Sequence, residues 1–355
     1  MASLQIRTWT VADIEASAAP FAGLSDPDGF VANCGESWRS LVLKNPYQEP
    51  SDLAMVLALD GDTIVGRLGF FQARIRIRGE IHKTYWTDGF FLNSAYRESG
   101  AGGMILLRSV GLLKTICAAG GPDEAAQKLY KAAGFRFLGA MRRYVRLFKG
   151  RMVTGRVLGE SGFSNALGLL VTPLLALLNG LKAPRAPKLK FTPVNRFGAE
   201  VDQLFAQTQE NAFCRDAATL NWLLEHREVQ AFLISHNDQP KGYLLLKKYF
   251  HKGGGKRKVP SCQIGCILDW VLVNPSEQDR QDLVHFSMKT LQSQGVDLFE
   301  MNVFPDEFDK ICKELGMLCS EGTLAFVKPP PGVSLQESDA WFLTPGAADM
   351  LLIKP

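Results

Sequence analysis

Arg97-Glu98-Ser99-Gly100-Ala101-Gly102-Gly103 is the stretch of sequence that decides the fold. A strand pattern precedes it at residues 83–92, and apolar residues at helical spacing follow it at residues 104–114. A glycine-rich turn between a strand and a helix presents consecutive backbone amides at the helix N-terminus, where the helix dipole favours an anion. Without side chains in the way, a pyrophosphate can approach this backbone closely. A glycine cluster is also typical of an ordinary turn, so its surroundings decide between the two interpretations.

The segments around this loop predict one α/β unit. An apolar run at residues 53–59 ends at the turn Asp60-Gly61-Asp62 and returns as a second strand. Residues before position 45 predict mixed helical segments. The full pattern predicts strands at 53–59, 63–77, 83–92, 115–119 and 144–148, with helices at 104–114 and 123–133. This order predicts a mixed sheet flanked by helices.

A second motif, Leu129-Tyr130-Lys131-Ala132-Ala133-Gly134-Phe135, follows the loop with a helix and a strand between them. Together the two motifs resemble the coenzyme A loop and the Leu-Tyr-x-x-x-Gly-Phe signature of the GNAT family of N-acyltransferases. The close resemblance covers residues 52–148. It implies an acyl-CoA cofactor, acetyl-CoA or a longer acyl-CoA, and transfer of the acyl group to an amine.

The resemblance also implies roles for individual residues. The coenzyme A loop from Arg97 to Gly103 would hold the pyrophosphate through the amides of Glu98, Gly100, Ala101, Gly102 and Gly103. The backbones of Phe91 and Leu92 would pair with the pantetheine arm, and Tyr130 would protonate the departing thiolate. Packing of the Tyr130 ring against the sheet is the equal alternative. Glu98 departs from the family pattern, because an acidic side chain beside phosphates is unfavourable unless it points away.

Asp88 lies in the third strand, and we expect it to accept the amine proton directly or through a water molecule. Partial burial would raise its pKa towards neutrality. Trp86 alternates with Asp88 onto the same face and is expected to line the acceptor site. The other interpretations are that Asp88 stabilises a β-bulge before Gly89 and that Trp86 packs in the core.

The second half of the chain repeats this plan. It predicts strands at 231–235, 242–249, 266–273, 298–303 and 323–327, with helices at 276–294 and 307–315. Asp269 takes the place of Asp88 and is expected to form part of the acceptor site. The loop after its strand, residues 274–280, contains two acids and no glycine, so we expect this unit not to bind coenzyme A. Two copies of one plan predict two tandem GNAT-like domains, the second degenerate.

The predicted organisation is a first domain at 1–150, a linker at 151–197, a second domain at 198–330 and a tail at 331–355. Within the linker, residues 163–181 are apolar and have basic residues on both sides. We expect a linker helix buried between the domains. The alternative is a helix that contacts an anionic membrane surface.

Composition narrows the function. A formal net charge of +4 is too small to indicate nucleic-acid binding. The seven cysteines form no CxxC pair and have no nearby histidines, so no metal site is predicted. The N-terminus shows no secretory signal pattern, and we expect a cytoplasmic protein.

The acceptor is predicted only as a small amine. Residues 339–344 look similar to the C-terminus of tandem GNAT-like proteins associated with surface polysaccharide synthesis, which suggests an amino sugar. Two other functions are compatible with the sequence. One is a FemABX-like transferase that takes aminoacyl groups from tRNA, and the other is a non-catalytic acyl-CoA sensor or scaffold.

Overall fold

The computed structural model describes residues 4–32, 34–120, 124–159, 161–180, 187–226, 229–253, 260–303, 308–337 and 339–345. Its strands are β1 Leu4–Thr10, β2 Leu53–Asp60, β3 Thr63–Ile77, β4 Glu80–Leu92, β5 Ile116–Gly120, β6 Arg136–Leu147, β7 Lys190–Val194, β8 Asn211–Phe213, β9 Val229–His236, β10 Gln239–His251, β11 Cys262–Leu272, β12 Leu298–Val303, β13 Leu318–Lys328 and β14 Trp341–Phe342. Its helices are α1 Val11–Ala16, α2 Glu36–Leu43, α3 Ala101–Leu112, α4 Glu124–Ala132, α5 Arg151–Leu158, α6 Gly162–Gly180, α7 Glu200–Ala206, α8 Ala217–His226, α9 Glu277–Ser293 and α10 Asp309–Glu314. Asp123, residues 181–186 of the predicted linker and residues 346–355 of the predicted tail lie outside the described residues.

One continuous sheet joins the two halves of the chain. Its order is β1-β2-β3-β4-β5-β13-β6-β12-β11-β10-β9-β7. The pairs β4–β5 and β11–β12 are parallel, and the other neighbours along this path are antiparallel. The strand order is symmetric about its centre, which lies between β13 and β6. Strands β3, β4, β5 and β6 therefore correspond to β10, β11, β12 and β13. The prediction of a mixed α/β sheet with two related halves is confirmed.

The halves exchange their last strands. Strand β13 from the second half lies between β5 and β6, and β6 from the first half lies between β13 and β12. Each half therefore completes its sheet with a strand from the other. A buried apolar core that includes residues of both halves packs behind this junction.

The two outer hairpins show why the sequence pattern repeats. Gly61 turns β2 into β3 with φ +60°, and Asn237 and Asp238 turn β9 into β10 with φ values of 50° and 59°. Gly66 and Gly242 hold equivalent positions in β3 and β10, opposite Leu92 and Leu272. A Cβ atom on Gly242 would lie 2.0 Å from the Val271 carbonyl oxygen, so only glycine permits this approach. The N-terminal prediction was wrong in part, because residues 4–10 form the edge strand β1 paired with β2.

The linker helix differs from its predicted role, and part of the tail packs into the fold. Helix α6 packs on α5, but Phe163, Leu169 and Leu170 on α6 are exposed, so the prediction of a helix buried between the halves was wrong. None of the described helices is both long and apolar enough to cross a membrane. The tail inserts into the molecule, because β14 pairs with β8 and Thr344 is buried.

Candidate functional site

The predicted coenzyme A loop forms an open helix N-terminus. Gly100 adopts the left-handed conformation with φ +83°, and α3 begins at the next residue. Among the described residues, the amides of Gly100, Gly102 and Gly103 have no hydrogen-bond partner, whereas the Ala101 amide donates to Ser99 Oγ at 3.3 Å. The free amides and the helix dipole create a positive potential suited to a phosphate group.

The end of β4 provides an unpaired backbone edge beside this loop. Strands β4 and β5 pair only at Tyr85 with Ile116 and at Trp86 with Cys117. Beyond these pairs, β4 bulges at Gly89, which has φ +60°, while β5 continues along β13. The edge of residues 87–92 that faces β5 is left without strand partners in the described structure. An extended arm such as pantetheine can pair with such an edge.

Phe91 and Leu92 lie at this edge, next to the glycine loop. A Cβ atom on Gly102 would lie 3.4 Å from a methyl carbon of Leu92, so a side chain there would crowd the end of β4. Arg97 and Glu98 are exposed, and Ser99 Oγ donates to the Tyr96 carbonyl oxygen at 2.7 Å. The predicted cofactor residues therefore lie next to one another, at the end of β4 and the start of α3.

Tyr130 is buried where the halves meet. Its ring centroid lies 5.0 Å from that of Phe135, 5.3 Å from that of Phe326 and 6.3 Å from that of Phe90. Phe326 belongs to β13, the strand exchanged from the second half. The sequence alone gave no sign of this neighbour, because the exchange is a feature of the tertiary structure.

Asp88 accepts hydrogen bonds in a buried polar network. Only 1% of its surface is exposed. Its Oδ2 accepts from Arg67 Nη2 at 3.1 Å and from Trp38 Nε1 at 2.9 Å. Burial raises the pKa of Asp88 above the ordinary carboxyl value, although Arg67 and Trp38 oppose this shift. Neither Arg67 nor Trp38 was predicted; they lie 21 and 50 residues from Asp88 in sequence.

The structure brings Trp86 and Asp269 to one small cavity between the halves. The cavity has a volume of about 40 Å³, room for a few water molecules. The Trp86 ring stacks on Phe213 with centroids 4.0 Å apart. Asp88 is not among the residues that line this cavity. The other lining side chains include Tyr47, Phe71, Arg215, Thr219, Trp222 and Leu223.

Asp269 is fully engaged by its neighbours. Arg215 Nε donates to both carboxylate oxygens, at 3.0 and 3.1 Å, and Tyr243 donates to Oδ2 at 2.8 Å. The Thr344 hydroxyl, supplied by the tail, also donates to Asp269. Tyr243 holds the position in β10 that Arg67 holds in β3, since Leu245 lies opposite Asp269 as Gly69 lies opposite Asp88. The internal repeat could therefore have indicated Arg67 and Tyr243.

The second half closes the helix end that the first half leaves open. Ser276 caps α9 by accepting from the Asp279 amide, and the Asp279 carboxylate accepts from the Ser276 amide. Lys241 pairs with the same carboxylate at 3.0 Å. Side chains and acidic charge therefore occupy the place where a phosphate would bind.

No protein-family profile matches the sequence, and no curated protein is significantly similar to it. Solved structures share its fold at low sequence identity. A GCN5-related N-acetyltransferase from Anabaena variabilis is 13% identical with a TM-score of 0.53, over 92% of this chain and 72% of its own. A putative acetyltransferase from Pyrococcus horikoshii is 14% identical with a TM-score of 0.54, over 98% and 96%.

The N-myristoyltransferase of Saccharomyces cerevisiae with bound myristoyl-CoA is 9% identical with a TM-score of 0.58, over 99% of this chain and 90% of its own. These likenesses show that the chain shares the fold of these N-acyltransferase structures, and its own sheet order divides that fold into two related halves.

Proposed function

We propose that this protein is an acyl-CoA-dependent N-acyltransferase whose first half binds the cofactor. The observation that carries the proposal is the open N-terminus of α3 beside the unpaired end of β4. The amides of Gly100, Gly102 and Gly103 would hold the pyrophosphate, and the backbones of Phe91 and Leu92 would pair with the pantetheine arm. The superfamily fold supports this assignment.

The acyl group is proposed as acetyl or a longer chain. The solved structures with this fold include acetyltransferases and a protein with bound myristoyl-CoA, so the fold accommodates both kinds of donor. An acyl-CoA thioester supplies an activated carbonyl carbon. Transfer to an amine forms a C–N bond, breaks the C–S bond and moves one proton from nitrogen to sulfur.

We assign the proton transfers to Asp88 and Tyr130. Both hydrogen bonds to Asp88 fall on Oδ2, which leaves Oδ1 to accept the amine proton through a bridging water molecule. The raised pKa of this carboxyl lies closer to neutral pH, which helps Asp88 to accept and release a proton there. Tyr130 would protonate the thiolate, and a backbone amide near Leu92 would stabilise the oxyanion.

The acceptor is proposed to enter at the cavity between the halves; because Asp88 does not line this cavity, the amine proton would reach it only through water. Aromatic rings of Trp86, Phe213 and Trp222 line it, and such faces attract an ammonium group. Because the cavity is small, a ligand the size of an amino sugar would require side chains to move. An amino sugar is the specific acceptor that we propose within the class of small amines.

Calorimetric titration of acetyl-CoA and longer acyl-CoAs into the full chain tests the cofactor assignment. We expect micromolar binding of at least one of them. A thiol-release assay with amino sugars, polyamines and peptide amines then tests the acceptor, and turnover on amino sugars is expected. Binding without turnover on any amine would favour a sensor or scaffold. No binding, with transfer that depends on charged tRNA, would favour the FemABX-like function.

A further inference from the structure

Helix α6 has an exposed face made of bulky apolar side chains. Phe163, Leu167, Leu170 and Leu174 recur at i, i+4, i+7 and i+11, which places them on one side of the helix. Phe163 is 70% exposed, Leu170 76% and Leu174 56%, and the neighbouring Leu169 is 74% exposed. A water-exposed helix normally shows the opposite pattern, with its apolar face buried and its polar face in water.

The opposite face of α6 consists of small residues packed on α5. Thr154 of α5 donates its hydroxyl proton to the Ser164 carbonyl oxygen at 2.7 Å. The Gly150 amide donates to Thr172 Oγ1 at 2.9 Å. A Cβ atom on Gly168 would lie 2.6 Å from the Arg151 nitrogen, so the two backbones are in close contact. These contacts fix the rotation of α6 and hold its bulky face outward.

Two more apolar side chains are exposed on and beside α5. Val157 of α5 is 75% exposed, and Leu318 of β13 is 59% exposed. Both line a groove beside α5 that also includes Arg156. This groove therefore combines aliphatic side chains with a positive charge.

The sequence around α5 and α6 carries mostly positive charge. Residues 149–190 contain seven basic residues and a single acid, Glu160, which lies outside the described residues. The basic residues are Lys149, Arg151, Arg156, Lys182, Arg185, Lys188 and Lys190. Lys149 and Arg151 share the buried carboxylate of Asp297, which leaves the group positive. Arg156 and Lys188 are exposed.

We propose that this face of α5 and α6 binds an anionic membrane surface. Helix α6 would lie in the plane of the headgroups, with Phe163, Leu167, Leu170 and Leu174 among the first acyl carbons. The exposed Arg156 and Lys188 would contact anionic lipid headgroups. A second copy of the chain fits this face less well, because a two-fold contact would bring two basic groups together.

Co-sedimentation of the full chain with vesicles tests the proposal. The probes are phosphatidylcholine vesicles with and without about 30% phosphatidylglycerol. We expect binding to the anionic vesicles that weakens as salt is added. The double substitution Leu170→Glu and Leu174→Glu is expected to weaken that binding at least about tenfold, because it places two charges in the acyl region. Ile81→Glu, at a 60% exposed residue on β4, is the matched control and should bind normally.

A second pair of substitutions tests the charge separately. Arg156→Gln with Lys188→Gln should reduce binding to the anionic vesicles severalfold and leave binding to neutral vesicles unchanged. Urea denaturation of each variant verifies that the fold is intact. The proposal is overturned if the wild type does not bind anionic vesicles or if the double glutamate variant binds equally well. Sedimentation velocity showing a dimer that this variant dissociates, without vesicle binding, would assign the face to a second copy.

Discussion

The two halves of the sheet differ most at the helix that follows the third strand. At α3 the chain offers free amides from Gly100, Gly102 and Gly103. At the equivalent helix α9, Ser276 and Asp279 satisfy each other's amides, and Lys241 neutralises the carboxylate. The same fold position therefore holds a ligand-ready end in one half and a self-satisfied end in the other. We propose that this short difference in loop sequence separates a binding end from a self-capped end.

The two buried aspartates also differ in how completely their oxygens are hydrogen-bonded. Asp88 accepts two hydrogen bonds, both on Oδ2, whereas Asp269 receives bonds on both oxygens from Arg215, Tyr243 and Thr344. The first network has a carboxylate oxygen left over for chemistry. The second is saturated and ties the tail to the sheet, which is typical of a structural element.

The largest effect is expected from breaking the saturated network. Asp269→Asn leaves the Arg215 charge buried without a counter-charge and should lower the free energy of unfolding by about 3–5 kcal/mol. Asp88→Asn should cost less stability, because fewer bonds are lost, but should reduce kcat/KM. Urea denaturation and a thiol-release assay on both variants check this. Equal losses of stability with unchanged turnover for Asp88→Asn would show that both aspartates are structural.

The open helix end gives the next largest effect. Gly103→Glu should weaken acyl-CoA binding about 100-fold, because it places a carboxylate beside the phosphates. The fold should tolerate it, since a Cβ atom there meets only Leu129 at 3.9 Å and an acid in the first helical turn is favourable. Gly111→Glu in the last turn of α3, with open space around it, is the matched control for calorimetry. Equal affinities for the two variants would contradict a phosphate site at this loop.

The smallest expected effect is on the capped N-terminus of α9. Asp279→Asn should lower the free energy of unfolding by about 1 kcal/mol at neutral pH and leave acyl-CoA affinity unchanged. Burial acts to raise the pKa of Asp279, but its bonds to Ser276 and Lys241 outweigh this and lower it below the ordinary value of 3.8. The stabilisation is therefore present above pH 3.8 and lost as the pH falls through the lowered folded-state pKa. Urea denaturation of both proteins across this range checks it, and a difference that persists in acid would contradict the assignment.

Local signals in the sequence predicted much of the cofactor side of the site. The glycine loop, the strand that ends at Leu92 and the helix that carries Tyr130 each depend on contacts close along the chain. The proposed position of Asp88 in a strand was also predictable from the alternation of its neighbours. Its partner Trp38 was not, because it lies 50 residues away in sequence, whereas the internal repeat could have indicated Arg67.

The outward orientation of the apolar face of α6 could not be predicted from the sequence either. Its apolar residues at helical spacing predicted a helix, and a helix of this kind is usually buried. Which face packs depends on the close contact of Gly168 with Arg151, a contact of tertiary structure.

By itself, the sequence determined the type and order of most elements, the repeat of the two halves and the open loop at Gly100, because hydrophobic period and glycine conformation act locally. Only the tertiary structure decided that β6 and β13 change places and that the tail delivers Thr344 to Asp269. It also brought Trp86 and Asp269 to one cavity. These features arise from pairings between residues far apart in the chain, where many partners are chemically equivalent and the packing of the whole sheet selects one.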